Sequence, residues 1–451
     1  MIVMMKANRG ILYLFQRKDF MPFEECWNFL NSFTDDIIPK MNVGVSMKHS
    51  KYTIEKSKGR TYVLYNTLYN SMLTMSDTEF QQYRTLDFQE LSLIEPLVEN
   101  GFLIPAYTDE FERYNYYKNG LLEFYPSFAH YTIALTTKCN ARCFYCYEEG
   151  VCQKDVSLQT AEKLAELLLK TNREINITWF GGEPLIKTDI IDFISQILNR
   201  NGKEFRSDII TNGSLLNEEI VIGKFKEWHI TNVQITIDGM EEEYIKRKNY
   251  YNSTDIFDKV LKNIDLLVQN NISVSIRLNI DSANNDECVK VTEFFKKRYS
   301  DNVNIIVYPS FLTGEKNSIN DMHSRIEYLK SIYNIYEPEM AILTFQPKLE
   351  ACFFEQTGAF VIDIDGSILC CDRDIGKQNT KISDIYSIQN FDDLKKPDSI
   401  IPKVRSECRE CVYYPKCGGG CRAAYFFKNK YDACFMDRYK TDFWINKILG
   451  I

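Results

Sequence analysis

Long apolar runs are missing from this 451-residue chain. None reaches the roughly 18 residues that a membrane-crossing helix needs, which excludes a helical membrane protein. A secretory leader is missing too. Met1 to Phe15 holds only short apolar pieces broken by Lys6, Asn8 and Arg9, with no small-residue cleavage site. These two readings predict a cytoplasmic chain with no membrane partner. The 12 prolines and 20 glycines are too few for collagen-like or low-complexity sequence. Apolar residues, at 45%, are too many for a disordered chain. Basic residues fall short of acidic ones, 54 to 62, and the formal charge of -8 argues against a nucleic-acid partner.

What is abundant is cysteine, with 14 residues placed unevenly. Three lie within Cys139–Cys146 and eight between Cys352 and Cys434, while Cys26, Cys152 and Cys288 stand alone. In a cytoplasmic protein of this size a disulfide framework is not expected. Short fixed spacings suit metal sites, where several thiolates must converge on a small volume.

At about 150 residues per domain, the length predicts roughly three domains. Residues 1–127 form a first region, of which the first fifty residues give no classifiable pattern. Arg60–Ser76 reads as two strands around a turn at Tyr69-Asn70. Asp77 reads as the N-cap of a helix through Tyr83, and Glu90–Glu99 as a second helix stopped by Asn100-Gly101. Strands followed by short helices suggest a small α+β, winged-helix-like module. Glu110–Asn119 reads as a polar, tyrosine-rich connector.

Residues 128–342 change rhythm. Strands are predicted at Tyr131–Thr136, Ile175–Phe180, Phe205–Ile210, Asn232–Ile237, Ser273–Ile280 and Asn304–Ser310. Helices are predicted near Ser157–Thr171, Asp189–Arg200, Leu216–Trp228, Ile256–Gln269, Asp286–Tyr299 and Asp321–Tyr336. Six βα units in a row specify an α/β fold with a parallel sheet or an incomplete barrel. In such folds chemistry sits at the carboxyl ends of the strands. Residues 343–451 lose that rhythm. They are cysteine-rich with short segments, so metal is expected to supply much of their fold.

Cys139, Cys143 and Cys146 lie just after the first barrel strand in a C-x3-C-x2-C spacing. Three thiolates on one loop can hold three irons of a 4Fe-4S cluster and leave the fourth open; complete cysteine ligation takes four. A zinc loop short of one ligand is the alternative. The loop, with Tyr145 just before its third cysteine, resembles that of the radical S-adenosylmethionine (radical SAM) superfamily, and further segments come in that family's order. Gly181-Gly182-Glu183-Pro184 ends the second strand and resembles the segment that holds the cofactor's methionine amino group. Glycine permits close backbone approach and a carboxylate suits an ammonium. Thr211-Asn212-Gly213 resembles the ribose-side segment at the end of the third strand. Thr236 and Asp238 stand at the end of the fourth. Arg247 falls where the family commonly has an arginine near the cofactor carboxylate, while Tyr244 replaces the usual histidine. Arg277 and Asn279, on the fifth strand, would put polar groups in the barrel.

The tail spaces Cys352, Cys371, Cys408, Cys411, Cys417, Cys421 and Cys434 in a way similar to the seven-cysteine SPASM extension of peptide- and protein-modifying radical enzymes. That resemblance implies two auxiliary 4Fe-4S clusters, three in all. Cys408, Cys411, Cys417 and Cys434 would hold the outer one, and Cys352, Cys371 and Cys421 the inner one. The alternative is a pair of zinc ribbons. Two fully ligated clusters need eight ligands, and seven are supplied. Cys370 is the other cysteine between Cys352 and Cys371, but it neighbours Cys371 on what reads as a strand, where adjacent side chains face opposite ways. The inner cluster would then keep an open iron, able to bind a substrate thiolate. Asp372 stands where sulfatase-maturing relatives have a base that deprotonates the substrate.

The resemblance implies a partial (β/α)6 TIM-like barrel as radical SAM core, a SPASM domain and a precursor-peptide recognition module in front. It further implies reductive cleavage of S-adenosyl-L-methionine, hydrogen abstraction from a precursor peptide to give a thioether or other cross-link, and a reduced flavodoxin or ferredoxin as electron donor. The rival enzyme is an anaerobic sulfatase maturase forming formylglycine. The rival of another class is a non-catalytic iron–sulfur redox sensor or scaffold. The leader peptide is expected to add a strand to an edge near Tyr62–Asn66.

Overall fold

The computed structural model describes residues 46–89, 91–124, 128–251, 255–299, 304–312, 327, 330–331, 348, 352–397, 399–400, 403–426, 441–443 and 445–446. Cys26, Cys434 and most of the helix expected over Asp321–Tyr336 lie outside them.

The front is an α+β module. Strand β1 (Met47–His49) pairs antiparallel with β5 (Leu103–Pro105). Strands β2 (Thr53–Lys58), β3 (Thr61–Asn66) and β4 (Ser71–Ser76) form an antiparallel sheet in that order. The sequence predicts only two of these three. Strand β2, with Ile54 as its only apolar residue, carries no alternating signal. Its presence makes β3 the middle strand, so Tyr62–Asn66 is paired on both sides and is not an exposed edge. Helix α1 (Asp77–Thr85) is capped by Ser76 rather than Asp77, through a reciprocal capping box with Glu79. Helix α2 (Leu91–Glu99) ends at Asn100-Gly101 as expected.

The expected connector is instead helix α3 (Glu110–Phe124). Asp109 caps it, its Oδ1 accepting from the Phe111 and Glu112 amides at 3.0 and 3.2 Å. Glu110, Tyr114 and Lys118 recur every four residues and are buried, a helical stripe written in polar side chains. That stripe meets the cysteine-rich tail. Lys118 Nζ donates to Glu355 at 2.9 Å, and Tyr414 Oη to Asn115 at 2.7 Å.

All six barrel strands are found, each within two or three residues of its expected start and end. They are β6 (Phe128–Ala134), β7 (Glu174–Phe180), β8 (Phe205–Thr211), β9 (Ile230–Thr236), β10 (Ser273–Ile280) and β11 (Ile305–Phe311). They lie parallel in sequence order. Helices α4 (Leu158–Lys170), α5 (Thr188–Arg200), α6 (Glu241–Lys248), α7 (Ile256–Gln269) and α8 (Asn285–Arg298) pack around them. The stretch Leu216–Trp228, expected to be an α-helix, holds one π-helical turn over Glu219–Lys224. Ile220, Val221, Ile222 and Gly223 are poor α-helix formers and sit in its middle. The core between sheet and helices is apolar, with Ile177, Trp179, Ile235, Ile276 and Leu278 all fully buried.

The tail does not begin as a separate sheet. Strand β12 (Ala359–Ile362) lies parallel beside β6, and β13 (Ser367–Leu369) and β14 (Lys381–Asp384) continue antiparallel outward. The result is one nine-stranded sheet whose ends, β11 and β14, do not pair among the described residues. The barrel is therefore open.

Candidate active site at the mouth of the open barrel

The first cysteine loop leaves β6 and is pinned along its length. The Thr137 amide donates to Lys154 O at 2.9 Å, Ala141 bridges Tyr250, and the Arg142 amide donates to Lys248 O at 3.0 Å. Cys139 and Cys143 are half-buried and Cys146 is exposed. The Ala141 amide donates to Cys139 Sγ at 3.4 Å, and Asn212 Nδ2 reaches the same sulfur at 3.9 Å. Burial pushes the Cys139 thiol up to about 12, so iron entering here must displace its proton. Three thiols on one loop, with N–H donors at a sulfur, fit three irons of a 4Fe-4S cluster. Among the described residues no three His, Cys, Asp or Glu groups converge on one point as ligands of a single ion do. A four-iron cluster spreads its thiolates over separate irons.

The Gly181–Glu183 segment holds this loop from the side. The Gly182 amide donates to Thr136 O at 2.8 Å and the Glu183 amide to Lys138 O at 2.9 Å. A Cβ on Gly181, at φ +137°, would stand 2.2 Å from Thr136 O, and one on Gly182 2.4 Å from Lys138 O. The close approach that demands glycine is thus to the cysteine loop's own backbone. Glu183 is fully buried. Its carboxylate accepts from Thr211 Oγ1 at 2.7 Å, the Asn212 amide at 2.8 Å and the Leu185 amide at 3.1 Å. Burial holds its carboxyl above the ordinary range against the pull of these donors. Glu183 ties the ends of β7 and β8 together.

On the far side Asp238 is fully buried. It accepts from Tyr145 Oη and, at 3.0 Å, from the Asn279 amide, and pairs with Lys248 at 3.5 Å. Lys248 Nζ also donates to Tyr145 Oη at 3.0 Å. Burial alone would lower the lysine. Asp238, Tyr145 and Cys143 outweigh it and hold Lys248 well above the ordinary value. Arg247 is buried too, donating to Asp281 at 2.9 Å, with its guanidinium 4.8 Å from the Phe144 ring centre. Arg277 donates to Asn279 at 3.0 Å and to Ser310 at 2.9 Å, while Thr236 sits half-buried at the end of β9. Tyr244 replaces the family's histidine with a buried hydroxyl 2.8 Å from that of Tyr250. Lys248 and Asp281 belong to the site without any sequence signal. One is an ordinary basic residue at a helix end and the other comes just after a strand, and neither lies in a motif.

In the tail, Cys352, Cys371 and Cys421 pack in one cluster with Phe354, Ala423 and Cys370. Cys408 and Cys411 pack with Tyr114 and Tyr414. Gly418, Gly419 and Gly420 all have positive φ and curl the chain between Cys417 and Cys421. Strand β13 ends at Leu369 with a register shift at Ile368/Leu369, so Cys370 and Cys371 lie beyond it. Cys371 keeps an extended backbone, with φ -150° and ψ 137°. Asp372 is exposed and accepts from Cys371 Sγ at 3.4 Å. Burial, then Asp363 and to a lesser degree Asp372, lift Glu148 in the cysteine loop to about 7.

Residues 133–295 match the Radical SAM superfamily. The chain carries a radical SAM domain. A 4Fe-4S cluster and S-adenosylmethionine belong to that family's chemistry, and the three-thiol loop suits both. The chain is 27% identical to an uncharacterized protein of Methanocaldococcus jannaschii, over 62% of this chain and 93% of that one. It is 24% identical to the cysteine-type anaerobic sulfatase-maturating enzyme of Clostridium novyi, over 64% of this chain and 86% of that one. The solved structure of anSMEcpe with bound AdoMet and Cp18Cys peptide superposes with a TM-score of 0.59, at 18% identity, covering 72% of this chain and 98% of that one. That likeness shows the same open-barrel fold. No helix among the described residues is long and apolar enough to cross a membrane.

Proposed function

We propose that this radical SAM protein is a peptide maturase with two auxiliary clusters in its tail. The observation that carries the reading is the approach of the tail to the first cysteine loop: Lys377 Nζ lies 5.8 Å from the Tyr147 ring centre, and a Cβ on Gly376 would stand 2.4 Å from Val151 Cγ1. The cofactor pair supplies a 5'-deoxyadenosyl radical when bound. Gly181, Gly182 and Glu183 hold the cluster loop in place. Asp238 and Lys248 fix Tyr145 beside it. Asn212, Thr236, Arg247 and Arg277 line the side where S-adenosylmethionine would sit. In the tail, Cys352, Cys371 and Cys421 would hold an inner cluster, and Cys408, Cys411, Cys417 and Cys434 an outer one. The front module, on this reading, receives the precursor peptide. Its outer strands β2 and β4 each keep one side unpaired among the described residues, and strand addition there would tolerate varied sequences.

A second reading has an observation of its own. Asp372 beside Cys371 is the arrangement of a sulfatase maturase base, and a curated relative bears that name. On this reading the exposed Asp372 would take a proton from the substrate peptide. The experiment is incubation of the reconstituted full chain with dithionite, S-adenosylmethionine and one of two peptides, read by mass. One is the product of any short open reading frame found beside this gene; the other is a cysteine sulfatase-motif peptide. Loss of hydrogen from the first supports the proposal. Formylglycine in the second supports the rival. Amide exchange of Ser71–Ser76 and Thr53–Lys58, with and without the encoded peptide, tests the front module: slowed exchange is expected, and unchanged exchange contradicts it.

A further inference from the structure

We propose that Cys370 is the fourth protein ligand of the inner tail cluster, joining Cys352, Cys371 and Cys421, so that no iron there is left open. This rests on the iron–sulfur reading of the tail. The obstacle in the sequence is alternation along a strand. The strand stops at Leu369, and Cys370 and Cys371 lie beyond its paired ladder, with Cys371 itself extended at φ -150° and ψ 137°. Cys370 is wholly buried and packs in the same group of side chains as Cys371, with Cys352 and Cys421 at the edge of that group. The Cys352 thiol acts electrostatically on both Cys370 and Cys371, and Cys421 acts on Cys352.

Lys396 stands beside this group, its ammonium donating to Phe353 O and, at 2.9 Å, to Gln356 O, and lying 5.2 Å from the Phe360 ring centre. Full ligation would make the inner cluster an electron carrier rather than a landing place for a substrate thiolate.

The test uses the full chain with Cys139, Cys143 and Cys146 changed to Ala, so that the tail alone gives a signal. This background protein should hold about 8 irons after anaerobic reconstitution, and 2-mercaptoethanol should leave its reduced electron paramagnetic resonance spectrum unchanged. Adding Cys370→Ala should either cost about 4 of those irons or yield a spectrum that shifts on adding 2-mercaptoethanol. Cys370→Ser, which keeps the side-chain volume, should shift the spectrum while the protein stays soluble. Iron content, spectrum and thiol response that match the background in both variants overturn the assignment. A background protein with about 4 irons or with zinc overturns the tail reading itself, and the assignment with it.

Discussion

The two cysteine regions are held in different ways. The first loop is gripped by the protein. Thr136 and Lys138 carbonyls take backbone amides from Gly182 and Glu183, Glu183 joins two strand ends, and Asp238 and Lys248 lock Tyr145. The tail thiols rest in small apolar groups, around Phe354 and Ala423 in one place and Tyr114 and Tyr414 in another, with local hydrogen bonds such as the Gly419 amide to Cys417 Sγ at 3.4 Å. The first loop is braced by the strand ends of a large sheet, so a cluster there would be a guest. The tail is built of short segments, where metal binding free energy would become folding free energy. The same element can therefore be a cofactor in one half of a chain and a structural member in the other.

The largest effect that tests this contrast comes from the first loop. Replacing Cys139, Cys143 and Cys146 together by Ala should abolish 5'-deoxyadenosine formation and leave about 8 of about 12 irons in place. Loss of all iron would show that the two regions depend on each other. Removing iron with a chelator should do the reverse to structure. Limited proteolysis should then cut within residues 403–426 first and spare 128–311. Simultaneous cutting of both would erase the distinction.

Glu183→Ala should loosen the grip without touching a thiol. It orphans Thr211 Oγ1 and the amides of Asn212 and Leu185, each worth about 1–3 kcal/mol when buried and unsatisfied. Thermal unfolding of the iron-free chain should shift down by several degrees, with iron lost from the first site only. Unchanged melting would mean the bracket contributes nothing to stability.

The smallest effect lies on the seam between the regions. His130 of β6 meets the tail's Phe353 ring edge-on at 4.7 Å between centres and lies 2.8 Å from Thr178 Oγ1. Burial lowers its pKa from 6.5 to about 4. The unfolded chain then takes up a proton near pH 6.5 that the folded chain accepts only near pH 4. Stability is full above that window and falls as pH drops through it, by at most about 3 kcal/mol. The ring keeps a minor exposed part, which makes the realised loss smaller. In denaturant titrations across the window, His130→Gln should flatten the slope; an unaltered slope would place the acid sensitivity elsewhere.

The barrel was legible in the sequence because each of its six strands is a β-branched or aromatic run closed by turn residues, such as Ile175–Phe180 before Gly181-Gly182. The motifs were legible because they sit at those closures. Strand β2 was not, since TIEKSK has one buried residue, Ile54. Helix α3 was not, since its buried face is Glu110, Tyr114 and Lys118, polar residues made burial-worthy only by Ser50, Glu355 and the tail backbone. The role of Glu183 was half legible. A carboxylate at a strand end is visible in sequence, but three internal donors reaching it from two strand ends are not. The end of β13 at Leu369 was not legible, because nothing in Leu-Cys-Cys marks where strand pairing stops.

The most direct measurement is chemical. The anaerobically reconstituted full chain, given dithionite and S-adenosylmethionine, should release 5'-deoxyadenosine and methionine in equal amounts. An iron-loaded chain that binds S-adenosylmethionine yet releases no 5'-deoxyadenosine would contradict the radical assignment and leave a non-catalytic iron–sulfur protein in its place.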